Sequence, residues 1–104
     1  MKSSIYEKFP RSLEDAVDRL VSDLSFADKT RIANMSEDRL VEFHKSYGSY
    51  IRTEFRLPGN DPLMRSCEAV SGLRMINGVQ ASYVILKALW NRLQGANVLR
   101  VVKK

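Results

Sequence analysis

The chain has 104 residues, 44% of them apolar and 28% charged, which is room for one core and the usual mix of a globular domain, so fibrous, collagen-like and disordered classes are excluded. One cysteine excludes an internal disulfide and a thiolate zinc site, no apolar run nears the roughly 20 residues of a bilayer span, and the leading MKSSIYEKFPRS lacks the apolar stretch of a signal peptide, which together predict a soluble cytoplasmic domain. The net charge of +5 is uneven: residues 1–52 carry nine Lys/Arg against nine Asp/Glu, and residues 53–104 carry eight against three, with Arg100, Lys103 and Lys104 at the very end.

Helix signals follow one another along the chain. Ser12 precedes Leu13, Ala16, Val17, Leu20, Val21 and Leu24, the one-face spacing of an amphipathic helix over about 13–24, with Asp15 placed to complete a weak capping box. Ser25 and Asp28 start a short second helix through Ile32 that carries little apolar surface of its own. Ser36 caps a third, with Glu37 and Asp38 in its first turn, where negative charge suits the helix dipole; it should run to about Phe55. The segment Leu57-Pro58-Gly59-Asn60 is the strongest break in the chain, and Asp61-Pro62 reads as cap and first position of a fourth helix, whose inner face would hold Leu63, Cys67 and Val70. After LRMING, a fifth helix should run from Gly78 to Gln94, with Gly95 beyond it.

The fifth helix is apolar on two sides. Ala81, Ile85, Ala88 and Leu89 form one stripe; Val79, Tyr83, Leu86, Trp90 and Leu93 form another, so this helix is expected to be buried twice. The second stripe is a candidate interface, covered either by the N-terminal arm through Ile5, Tyr6 and Phe9 or, preferred of the two, by a second copy. The expected architecture is all-α: one domain over 1–104 with a core of about 10–95, an arm over 1–10, and a tail over 96–104, rich in β-branched residues, that is extended or disordered.

The run FHKSYGSYIRTEFRL, preceded by SLEDAVDRLVSDLS and followed by ALWNRL, resembles a small bacterial all-helical domain family of unknown function over about residues 10–94. His44, Gly48, Ile51, Arg52, Glu54, Phe55 and Leu57 fall on its central-helix pattern in order, and Ala81, Ser82, Leu89 and Trp90 on a later one. The sequence departs from that pattern at Thr53, where asparagine is usual, and at Pro58, where an aromatic is usual. The resemblance implies kinship and assigns no activity.

Candidate chemistry concentrates on the third helix. His44, the only histidine, lies at the centre of the apolar stripe made by Leu40, Val41, Tyr47, Ile51 and Phe55, which predicts a buried imidazole bonded to a carbonyl or hydroxyl. Gly48 at mid-helix costs about 1 kcal/mol relative to alanine, so it predicts close approach of another group, with Trp90 or the Ala81/Ala88 face as candidates. Arg52 and Glu54 flank the stripe on opposite sides and cannot pair with each other; Asp61 or Glu68 is the expected partner of Arg52. Cys67 reads as a small hydrophobe, and Tyr47 and Tyr50 have no second aromatic placed to build a stacking platform.

These residues point to a non-catalytic protein-interaction or self-associating module, with a protein partner or a homo-oligomer, and with no cofactor, metal or membrane partner. A nucleic-acid-associated accessory protein is second, on the basic second half, although the terminal placement of the charge argues against it. A small enzyme or ligand binder using a pocket near His44, Arg52 and Glu54 is third.

Overall fold

A computed structural model describes residues 9–95. Five helices, and no strand, occur among the described residues: α1 Leu13–Asp23, α2 Phe26–Ala33, α3 Glu37–Phe55, α4 Asp61–Ser71 and α5 Gly78–Gly95. The arm through residue 8 and the tail 96–104 lie outside the described residues, and so do the expectations placed on them.

The three serine caps form as expected. Ser12, Ser25 and Ser36 each accept at the side-chain oxygen from the backbone N–H three residues on, which satisfies one orphan donor at each helix start. Asp15 does not close the box on Ser12; its carboxylate pairs instead with Arg19 one turn later, at 3.3 Å. At α4 the cap is Asn60 rather than Asp61. The amide of Asn60 accepts from Leu63 N and donates to the carbonyls of Pro10 and Phe55, so one side chain ties the entry of α1, the end of α3 and the start of α4 together. α3 stops at Arg56, which takes left-handed backbone at φ 59°. The Leu57–Pro58 peptide that follows is cis.

α5 is the centre of the molecule and packs against each of the other four helices. That accounts for its two apolar sides. Ala81, Ile85, Leu86 and Leu89 are wholly buried and Leu93 nearly so, in a core shared with Leu20, Ile32, Leu40, Ile51 and Leu63. The stripe expected to be an interface is therefore covered by the chain itself: Trp90 Nε1 donates to Met35 O at 3.0 Å, Gln94 Nε2 to Ala33 O, and Tyr83 meets the His44 ring edge-on, so α2 and α3 close over it. Of its five residues only Val79, at the head of the helix, is exposed. Neither arm nor second copy is needed to cover Leu86 and Leu93. Val70, expected inside, is also exposed, because α4 turns its Leu63, Met64 and Cys67 face to the core and ends soon after.

Candidate functional site

α3 presents His44, Gly48 and Arg52 at successive steps of four residues, one above another on a single face. Their target is Ser82 on α5, the one polar side chain with no solvent exposure in the described core. Ser82 Oγ lies 2.8 Å from His44 Nε2 and accepts from Arg52 Nη1 at 3.0 Å. It also donates to Val79 O at 2.8 Å, one turn back on its own helix. A hydroxyl has one proton and two lone pairs. With the proton engaged by Val79, both lone pairs accept, and His44 must carry its proton on Nε2, which leaves Nδ1 as the bare ring nitrogen.

Gly48 is what lets these side chains reach across the helix. A Cβ at that position would stand 2.5 Å from His44 Nε2 and 3.1 Å from Arg52 Nη1. The close approach predicted from this glycine is real, but it comes from its own helix neighbours rather than from Trp90 or the alanine face. His44 is half-buried rather than buried, and its bond is to a hydroxyl. Burial first, and the Arg52 guanidinium second, hold the imidazole below its ordinary value of 6.5. At neutral pH it is uncharged.

Arg52 does not meet the acids expected of it. Among the described residues it makes no ion pair, and Glu68 accepts instead from Ile76 N at 3.3 Å. Arg52 is one wall of a cleft of about 510 Å³ that Thr53 of α3, Leu57 and Pro58 of the following turn, and Asn77, Gly78 and Val79 at the head of α5 also line. Asn77 and Gln80 fix that head by exchanging bonds, each side-chain oxygen accepting from the other's backbone N–H. Glu54 is not brought to this site; its charge is felt at Tyr47 instead.

Two other groups are placed by the fold. The Cys67 thiol, buried and directed at Ala81 O, is pushed up to about 11 by burial and by Glu68, so it is an inert apolar side chain with no contact to His44. Tyr47 does have aromatic neighbours, contrary to the sequence reading: its ring stacks on Phe43 at 4.9 Å and on Tyr50 at 5.3 Å, and the Arg31 guanidinium lies over Phe43. Stacking follows from the three- and four-residue spacing once the rings share rotamers. Burial raises the Tyr47 phenol, and the Tyr50 phenol and the charges of Asp23, Asp28 and Glu54 raise it further.

Ser82 is the site residue that the sequence reading named only as a match to the family's later pattern, without a role. Its signal was the one serine of α5, set between Ala81 and Tyr83 on a helix buried on two sides. Among the described residues no three His, Cys, Asp or Glu side chains gather as metal ligands, and no helix is long and apolar enough to cross a membrane. The profile of a domain family of unknown function, DUF6794, matches residues 9–93. No curated protein and no solved structure matches the chain.

Proposed function

The chain belongs to DUF6794, a domain family of unknown function, and from the geometry between α3 and α5 we propose that it is a non-catalytic binding module that holds an anionic group at Arg52. The observation that carries this reading is an arginine on the wall of a cleft whose guanidinium has a neutral hydroxyl as its partner and no carboxylate paired to it among the described residues. Arginine is always charged and offers five donors, so a charged head with one neutral partner retains most of its capacity for an anion. Ser82 orients it and His44 holds Ser82.

Catalysis is less well supported by the same geometry. The Ser82 hydroxyl is wholly buried with its proton on Val79 O, and the Cys67 thiol is buried and protonated, so neither is placed as a nucleophile. Nucleic-acid binding has the aromatic ladder with one cation, Arg31, over it as its support, and the carboxylates of Asp23, Asp28 and Glu54 near Tyr47 count against it. Self-association through α5 loses its argument because that stripe is covered within the chain. We read residues 1–104 as one domain, acting in the cytoplasm, with the lone buried thiol in support of that setting.

One histidine makes the test clean, because its imidazole is an isolated NMR reporter. Sodium acetate, titrated against sodium chloride at equal ionic strength, should raise the His44 pKa saturably by offsetting the Arg52 charge, with half-saturation on the order of 0.2 M for a single solvent-facing pair worth about 1 kcal/mol. In Arg52→Gln the acetate effect should vanish. Equal responses to acetate and chloride in the native chain would refute the reading.

A further inference from the structure

The walls of the cleft say more about the ligand than its charged end does. Leu57 and Pro58 form one side, and Val79, 53% exposed, stands on α5 as an apolar side chain open to solvent. Thr53 and Asn77 are the neutral polar groups at the margins. Arg52 is the one cation lining the cleft among the described residues, and His44 stands behind it, reached through Ser82 and uncharged at neutral pH. The cleft thus offers one positive charge beside apolar surface.

The guanidinium is also oriented. Nη1 is engaged by Ser82, which leaves the Nε and Nη2 edge as the free pair of parallel donors. That edge matches the two oxygens of a carboxylate, and one positive charge matches a monoanion. A phosphate dianion would keep one uncompensated charge beside the apolar surface of Leu57, Pro58 and Val79. An apolar group attached to the carboxylate would instead cover Val79 and remove its surface from water.

We infer that the cleft binds a monoanionic carboxylate carrying a small branched apolar group, held by the free edge of Arg52 with its apolar part between Pro58 and Val79. This rests on the reading of Arg52 as an anion site and names the class of anion. A free short-chain acid and the C-terminus of a peptide ending in an aliphatic residue share this chemistry.

The experiment is a set of ¹H–¹⁵N titrations of the full chain near neutral pH and at fixed ionic strength, following the amides of Gly78 and Val79 and the His44 imidazole. The probes are 3-methylbutanoate, acetate, 3-methylbutanamide and inorganic phosphate. The expected result is half-saturation by 3-methylbutanoate about tenfold below that of acetate, the effect of covering two methylene equivalents of apolar surface, with no saturable response to the amide. Val79→Ser alters an exposed position and should bring 3-methylbutanoate to within about threefold of acetate while leaving acetate unchanged. Acetyl-Gly-Gly-Leu with a free carboxylate, set beside its amidated form, separates the sources: tighter binding than 3-methylbutanoate assigns a chain terminus, and weaker binding assigns a free acid. Phosphate binding more tightly than 3-methylbutanoate would overturn the carboxylate class and leave the anion reading standing. Equal affinity for 3-methylbutanoate and acetate would overturn the apolar half. Silence from every anion would overturn both readings.

Discussion

Gly48 is kept without a side chain because the His44 ring and the Arg52 guanidinium occupy the space a Cβ would take. Alanine there improves helix propensity by about 1 kcal/mol, yet a Cβ 2.5 Å from Nε2 must push the imidazole off Ser82. Gly48→Ala should therefore lower stability in the native background and raise it, by up to about 1 kcal/mol, in His44→Ala, where only the flexible end of Arg52, 3.1 Å from the new Cβ, has to shift; denaturant unfolding of the four chains in this cycle checks the sign reversal. The imidazole also sets a pH dependence. Its pKa is lowered by folding, so below 6.5 the unfolded chain binds more protons than the folded one, and stability falls as pH falls through that region. His44→Gln should flatten the thermal-unfolding profile just below pH 6.5; an unchanged slope would assign the loss to other groups. The face shared by His44, Gly48 and Arg52 was legible from spacing alone. Ser82 was not, because a helical serine can satisfy itself on its own backbone, and only the arrival of α3 makes its lone pairs matter.

At the scale of elements, two apolar stripes on α5 announced a helix buried on both sides, and it is. What covers the second stripe could not be read, because α2 is short and weakly apolar and its angle to α5 is set by bonds such as Trp90 Nε1 to Met35 O, which join residues far apart in sequence. The α4 start shows the same limit. Asp61-Pro62 fits the rule for a cap and first position, but Asn60 takes the cap because its amide both accepts from Leu63 N and donates to Pro10 O and Phe55 O, which an aspartate cannot do. Asn60→Ala should cost about 2 kcal/mol and Asp61→Ala well under 1 kcal/mol, a contrast that chemical denaturation resolves and that would be reversed if Asp61 were the cap. The surface pairs Lys87–Glu37 at 2.7 Å and Arg92–Asp18 at 2.8 Å join α5 to α3 and α1, and being exposed they add little beside the apolar contacts beneath them.

For the whole molecule, the covered stripe predicts a monomer. Light scattering should give the 11.9 kDa of one chain, and Trp90→Glu should unfold the domain, because it places a charge where the indole packs between α5 and the α2–α3 link; a folded Trp90→Glu monomer derived from a native dimer would restore the interface reading. The all-helical class and the helix boundaries followed from caps and periodicity, whereas the cleft did not, since it is made where the α3–α4 turn meets the head of α5. His44 and Arg52 share the Ser82 hydroxyl, with Arg52 the one cation lining that cleft among the described residues. The most direct test is the NMR titration of the His44 imidazole in the native chain and in Arg52→Gln. The native pKa should lie below 6.5 and move upward when the guanidinium is removed; a native value at or above 6.5 that Arg52→Gln leaves in place would rule out the shared hydroxyl as described.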